Sequence, residues 1–345
     1  MKKEHYFNVA INGYGRIGRC LLRAIYETSK NNLLRVVAIN DPTPTATMCY
    51  LTKYDSTHGV CKLNVSATEN HLHINNNSIS IFHEQNPKKL NWNGLKIDLL
   101  FDCSGSFKDL ETAQAYLATG VDKLLISNPS CIDVDGTIIF GVNEQSINLQ
   151  SKIISAGSCT ANCIVPVITA INKNLGINSG SLTTLHSAMN DQPLIDSSNT
   201  KNLRLARSAL QSMIPVDTAL SLGIDKILPE LAGRIQTNAI RVPTVNVSCI
   251  DACFVVNKQT STEQLNEILA VESSLNPDII GITDEPHASI DFNHDKRSCI
   301  VDITQTKVSN GNLIKILCWF DNEWAFANKM LDISEYWLPM TSANT

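Results

Sequence analysis

No run of the 345 residues approaches membrane-spanning length, so the chain is not expected to cross a bilayer. Positive charge is not in excess either. With 28 Lys and Arg against 33 Asp and Glu, the net charge of -5 leaves no broad basic field, which argues against nucleic acid as a partner. None of the 11 cysteines forms a CxxC pair, and the histidines show no metal-ligand spacing. An odd number scattered in this way argues for reduced thiols and against a disulfide framework or a zinc site, so no metal is expected. The opening residues Met1 to Tyr6 contain no apolar signal region, and a cytoplasmic protein is the expectation. Internal repeats and low-complexity linkers are also missing.

The length suits about two domains, each with its own core. Hydrophobic content of 43% and charged content of 18% are ordinary for a globular chain. Phe7 to Asn12 reads as a buried strand, followed by Gly13-Tyr14-Gly15-Arg16-Ile17-Gly18 and a helix-spaced run to Ser29. Leu33 to Asn40 reads as a second strand with Asp41 at its carboxyl end. Strand, GxGxxG, helix, strand and acid, in that order, make a dinucleotide site. The glycines allow a tight turn and close backbone approach, so a pyrophosphate can rest on the helix N-terminus. A carboxylate at Asp41, 23 positions after Gly18, can accept hydrogen bonds from ribose hydroxyls and repel a 2′-phosphate, favouring NAD over NADP.

Further strands are expected at Ile97 to Asp102, Lys123 to Ser127 and Thr137 to Val142, with a helix from Leu110 to Ala118. Strands alternating with helices predict an α/β domain with a doubly wound, mostly parallel sheet. Lys62 to Ile81 alternates in polarity around Asn75-Asn76-Asn77, which suits an excursion with a hairpin turn. Later in the chain, Gly180 to Leu185, Val245 to Val256 and Leu313 to Phe320 are long β-prone runs, with helical stretches at Pro166 to Lys173 and Thr262 to Ser273. They predict an α+β second domain with a mainly antiparallel sheet. Asp191 to Arg207 is too irregular for an element, and Glu323 to Trp337 can form a helix that packs back on the first domain.

Between the two halves lies Ser155-Ala156-Gly157-Ser158-Cys159-Thr160-Ala161-Asn162-Cys163. Small polar residues lead into an apolar helical segment with Ser158 as N-cap, which places Cys159 in the first turn. Unpaired backbone N–H groups and the macrodipole there favour an anion, so the thiol should ionise more easily than a free one. The stretch alone suits either a nucleophile at Cys159 or two buried packing cysteines four residues apart.

Ile11 to Arg19, Ser158-Cys159-Thr160, Arg241-Val242-Pro243-Thr244 and Asp321-Asn322-Glu323-Trp324 together resemble the glyceraldehyde-3-phosphate dehydrogenase superfamily, in order along nearly the whole chain. Within it, His186 to Gln192, Ile214 to Thr218 and Asp291 to Asp295 look most like the D-erythrose-4-phosphate dehydrogenases. Met189 and Asp191 stand where the glyceraldehyde enzymes usually carry threonines, and Ala219 where they carry glycine. The resemblance implies a Rossmann domain over 1–158 completed by a helix within 322–345, and a catalytic domain over 159–321. It also implies a homotetramer in which the Asp191 to Arg207 loop approaches a neighbour's cofactor. The implied reaction is NAD-dependent oxidation of D-erythrose 4-phosphate to 4-phosphoerythronate, with water resolving a thioester. Where organisms use that route, the reaction feeds pyridoxal 5′-phosphate synthesis. The alternative is the glycolytic enzyme, in which inorganic phosphate accepts the acyl group from glyceraldehyde 3-phosphate.

By the same resemblance, Cys159 attacks the aldehyde while His186 holds it as thiolate and later takes the hemithioacetal proton; Cys163 only packs. Arg241 would bind substrate phosphate. Ser158, Thr160, Thr218 and the backbone N–H of Ala219 would form a second oxyanion site, with Arg204 and Arg207 as contributors. Asn322 would hold the nicotinamide carboxamide beside Phe326, and Arg16 and Ile17 would line the pyrophosphate and adenine. Ser104 and Ser127 either touch the cofactor or simply end their strands.

Overall fold

In the computed structural model, which describes residues 6–92, 94–106, 109–129, 134–198 and 202–340, strand Phe7–Asn12 is buried along almost its whole length. The cause is its place at the centre of a nine-stranded sheet, with Leu34–Asn40 on one side and Leu99–Asp102 on the other, both parallel to it. A strand covered on both faces can be apolar throughout, which is what Val9, Ala10 and Ile11 provide. Beyond Leu99–Asp102 the parallel order continues through Leu124–Ile126, Ile153–Ser155 and Gly136–Thr137. Beyond Leu34–Asn40 comes Asn77–Phe82, parallel, and then the antiparallel His71–Ile74 and Val65–Ala67. Ile74 pairs with Asn77, so the hairpin turns on Asn75-Asn76, and Asn75 takes a left-handed φ of 51°. Asparagine tolerates that region better than most residues, which is why this tripeptide turns.

One expected strand is much shorter than the sequence suggested. Ile138 and Ile139 are buried, as a strand would bury them, but pairing stops at Thr137. The Asn143 side chain takes the Ile139 N–H at 2.8 Å and donates to the Thr137 carbonyl at 2.9 Å, folding the chain into a turn. A side-chain amide that satisfies both backbone groups competes directly with a sheet ladder.

The chain divides into two compact units, Met1–Ser158 with Ala327–Thr345, and Cys159–Phe326. Helix Trp324–Trp337 belongs to the first unit from Ala327 onward. Lys30 pairs with Asp332 at 2.9 Å and with Glu335. Lys123 donates to the Trp337 carbonyl at 3.1 Å, with its ammonium 4.7 Å from the Trp337 ring. It thereby satisfies a carbonyl left open at the helix end. Burial first, and the Lys152 charge second, lower its pKa to about 8, against the opposing pull of Asp122 and Asp98.

The second unit is built on a mixed eight-stranded sheet. Its axis is Ile177–Ser187, which pairs in parallel with Ile235–Val242 and antiparallel with Ser248–Val256. Leu313–Phe320 and Cys299–Asp302 follow antiparallel, and Ile280–Thr283 closes the edge in parallel. Helix Cys159–Leu175 packs on this sheet and is buried on nearly every side between Ala161 and Ile171. Helix Thr262–Leu275 starts at a Ser261–Gln264 capping box, which satisfies two open donors. In the Asp191 to Arg207 stretch, Leu203–Ala206 forms one 3-10 turn, and residues 199–201 lie outside the described residues, as do the ends of the expected domain limits at 1–5 and 341–345. Among the described residues, no helix is long and apolar enough to cross a membrane.

Candidate active site

In the first unit, the turn after Phe7–Asn12 works because three glycines do different jobs. Gly13 has a φ of +87°, and a Cβ on it would lie 2.5 Å from the backbone of Ser104. A Cβ on Gly18 would lie 2.2 Å from the Gly13 carbonyl oxygen, so glycine lets helix Arg16–Glu27 close onto the strand. Gly15 differs. It is exposed, a Cβ there would meet nothing within 4 Å, and as N-cap it supplies no side chain to the helix start. A helix start without a capping side chain suits an anion such as a pyrophosphate.

Asp41 accepts from the Tyr14 N–H at 2.7 Å and the Thr43 N–H at 2.8 Å, which holds its carboxylate at the mouth of the turn. It lines a cavity of about 320 Å³ with Asn12, Gly13, Asn40, Ser104 and Tyr116. These donors and acceptors fit a dinucleotide's adenosine half. Arg16 stands at the helix start, but its guanidinium grips Asp55 at 2.6 and 3.1 Å, which holds the Asp55 carboxyl well below its usual range. Ile17 keeps partial exposure beside it. Ser127 hydrogen-bonds the Cys103 thiol.

Sequence reasoning missed the polar floor of this cavity. Asn12 Nδ2 donates to Asp102 Oδ1 at 2.7 Å and to the Tyr116 hydroxyl at 2.8 Å, and accepts from Asn40 at 2.8 Å through Oδ1. Asp102 is fully buried, its Oδ2 has no partner, and burial pushes its carboxyl up. The available signal was that Asn12, Asn40 and Asp102 each end a strand of one parallel sheet, which puts them on a common edge.

In the second unit, helix Cys159–Leu175 begins at Cys159, and its sulfur lies 3.7 Å from His186 Nε2. His186 ends strand Ile177–Ser187 and sits opposite Arg241 in the parallel register with Ile235–Val242. That register puts Arg241 Nη1 2.8 Å from His186 Nδ1. The ring is buried and edge-on to Phe320, with centroids 6.4 Å apart. Burial first, and the Arg241 charge second, lower its pKa to about 4. Burial also pushes the Cys159 thiol up to about 11, although the Thr160 N–H and Arg241 oppose it. Burial thus runs against two expectations, that the helix start makes this thiol easier to ionise than a free one and that His186 holds it as thiolate. Desolvation outweighs the helix terminus, and the resting pair is a thiol beside a neutral imidazole.

Asn322 is buried behind this pair. Its Oδ1 accepts from Ser187 Oγ at 3.0 Å and Ser248 Oγ at 2.9 Å, which fixes the amide and leaves Nδ2 as its remaining donor. Asp321 accepts from the Glu323 and Trp324 N–H groups at 2.9 and 2.8 Å, starting the last helix and setting the Asn322 backbone. Phe326 is buried in the first turn of that helix.

The other substrate candidates are more dispersed. Strand Ile214–Val216 runs antiparallel to Ile235–Val242, from Ile214 beside Arg241 to Val216 beside Ala239. Thr218 and Ala219 follow in the chain; Thr218 Oγ1 accepts from the Leu220 N–H at 3.2 Å, and Ala219 is the N-cap of helix Leu220–Ile227. Ser158 and Thr160 flank the nucleophile in the chain. Arg204 is exposed on the 3-10 turn, and Arg207 pairs with Asp196 at 2.8 Å. The Asp191 carboxylate is exposed, and its charge reaches both His186 and Arg241.

Two family models match the chain. Residues 7–110 match the NAD binding domain of glyceraldehyde 3-phosphate dehydrogenase, and residues 158–322 match its C-terminal domain. The matched segments contain the glycine turn, Asp41, Cys159, His186, Arg241 and Asn322. The chain belongs to the glyceraldehyde 3-phosphate dehydrogenase family and is an NAD-dependent oxidoreductase acting on a sugar-phosphate aldehyde.

Proposed function

We propose that the chain oxidises D-erythrose 4-phosphate to 4-phosphoerythronate, with water as the acyl acceptor. The observation that carries this reading is Asp191, whose charge reaches His186 and Arg241. A carboxylate whose charge reaches both groups disfavours the approach of an inorganic phosphate dianion but not of a water molecule. Met189, 45% exposed on the same turn, likewise offers no hydroxyl to an incoming phosphate.

The chemistry starts from the resting thiol. Cys159 gives its proton to His186 Nε2 and adds to the aldehyde carbon, and His186 returns that proton to the new alkoxide oxygen, giving a hemithioacetal bound through sulfur. His186 then takes the hemithioacetal hydroxyl proton as hydride leaves the same carbon, and a thioester remains on Cys159. NAD supplies the hydride acceptor. Covalent capture matters because an alkoxide on the carbon expels hydride far more readily than a free aldehyde does. In the second half, His186 first releases the hemithioacetal proton to solvent, then takes one from water as its oxygen attacks the thioester and passes it to Cys159, which departs as the thiol while the acid forms. Arg241 holds the substrate phosphate, and its planar donor set suits that anion. Asn322 Nδ2 is the donor for the carboxamide of NAD, and Asp41 takes the adenosine ribose. Ser158, Thr160, Thr218 and the Ala219 N–H, with Arg204, line the approach of the sugar chain. In this reading the enzyme is a cytoplasmic homotetramer.

A substrate panel tests the assignment. NADH formation from D-erythrose 4-phosphate should proceed in phosphate-free buffer and change little on adding phosphate. Strict dependence on phosphate, with glyceraldehyde 3-phosphate the far better substrate, would instead make it a phosphorylating enzyme.

A further inference from the structure

His186 cannot serve both partners that its Nδ1 faces. Arg241 Nη1 and the Ser187 carbonyl oxygen each lie 2.8 Å from that one nitrogen. A guanidinium nitrogen only donates, so its contact requires a bare Nδ1. A carbonyl oxygen only accepts, so its contact requires Nδ1–H. In a neutral imidazole these are the two tautomers, and each fixes what Nε2 presents to Cys159, 3.7 Å away. With Arg241 donating to Nδ1, the ring proton sits on Nε2, and that nitrogen cannot accept a proton from the thiol. With Nδ1–H donated to Ser187, the Nε2 lone pair faces Cys159 and the ring is a competent base.

We propose that Arg241 is a positioning residue for His186, holding it as the inactive Nε2–H tautomer until a phosphate monoester draws the guanidinium away. The inference rests on the reading of Arg241 as the holder of substrate phosphate. The switch moves one proton from Nε2 to Nδ1 by exchange with solvent and leaves the charge of the ring unchanged.

Three observations support it. Arg241 Nε is buried without a partner, so the guanidinium is incompletely used where it stands. Its second contact, Nη1 to the Ser187 carbonyl, is long at 3.4 Å. A phosphate dianion offers charge-assisted, paired hydrogen bonds, which are stronger than one bond to a neutral imidazole. The ring is also held neutral by burial and by Arg241, so its tautomer decides whether it can act. Asp191 faces both Arg241 and His186, and Glu323 faces His186 and Cys159; these charges raise the His186 pKa but do not distinguish its two nitrogens as a direct contact does. The consequence is that the base forms chiefly when a phosphorylated aldehyde is bound, so selectivity for phosphate is expressed in kcat as well as KM.

The test is nitrogen NMR of the full-length enzyme carrying 15N-labelled histidine, because bare and protonated ring nitrogens resonate far apart. The His186 signals are assigned by their loss in His186→Gln. The probe is glycerol 3-phosphate, a phosphate monoester with no aldehyde, and its binding is followed by calorimetry. The free enzyme should show His186 with Nδ1 bare and Nε2 protonated, and saturation should invert that pattern. Arg241→Met should show the Nδ1–H tautomer without any phosphate. Binding with the same tautomer in both states would overturn the inference alone, because Arg241 would then hold phosphate through its other nitrogens. Failure of the probe to bind would overturn the phosphate role of Arg241, and the inference with it. The wild-type comparison needs no change at Arg241, so it remains decisive if Arg241→Met does not fold.

Discussion

Cys159 stands between opposed influences. The start of helix Cys159–Leu175 and the nearby Arg241 favour a thiolate, whereas enclosure of the sulfur disfavours one, and enclosure prevails at about 11. With the pKa raised, the thiolate is scarce near neutral pH, and its fraction grows about tenfold per pH unit below the pKa. Alkylation of Cys159 by iodoacetamide in the unliganded enzyme should therefore climb steeply between about pH 7 and pH 9. A rate that is already flat there would mean a preformed thiolate–imidazolium pair. Cys159→Ala should remove NADH formation entirely and leave NAD binding within about twofold, as measured by calorimetry, because the residue acts in chemistry only. Both outcomes concern one side chain, whose chain neighbours the sequence displays and whose enclosure it does not. A motif reveals what precedes and follows a cysteine; it does not reveal how much of the chain closes over the sulfur.

At the scale of elements, the glycine turn separates folding from binding. Gly18→Ala places a methyl group 2.2 Å from the Gly13 carbonyl, and helix Arg16–Glu27 must shift to admit it. Overpacking of this kind costs about 1–3 kcal/mol, which should appear as a lower Tm. Gly15→Ala meets nothing within 4 Å at a φ of -74°, so its Tm should hold or rise. The added methyl group stands at the N-cap of the helix that would receive the pyrophosphate, and NAD affinity should weaken by about tenfold, near 1.4 kcal/mol. Equal effects of the two changes on Tm would contradict this division. The turn was legible because its parts are contiguous in the chain and each has a local cause. Strands Phe7–Asn12, Leu34–Asn40 and Leu313–Phe320 were legible as apolar runs for the same reason. Ile138 to Val142 misled because burial alone resembles a strand, and the Asn143 side chain decides otherwise. The His186–Arg241 contact was hidden because it depends on a parallel register between strands 55 residues apart in sequence. Asn12, Asn40 and Asp102 were hidden likewise, since only strand order brings three strand ends to one edge.

At the scale of the molecule, the two halves divide the labour. The first unit carries the dinucleotide turn, and the second carries Cys159, His186, Arg241 and Asn322. Leu194, Ile195, Leu203, Leu210 and Met213 are all exposed in one stretch of the second unit. A single chain in water rarely leaves so many large apolar side chains uncovered, and contact with further copies would cover them. Light scattering should give four times the 37.9 kDa chain mass, and a single-chain mass at micromolar concentration would contradict the tetramer. The central claim is that one cysteine carries the acyl group and water removes it. The measurement that tests it most directly is rapid-quench mass spectrometry of the enzyme with NAD and D-erythrose 4-phosphate in phosphate-free, 18O-labelled water. The account predicts an acyl adduct on the Cys159 peptide alone, discharged as 4-phosphoerythronate with label from water in its carboxylate. An adduct on another cysteine, or one that persists until phosphate is added, would contradict it.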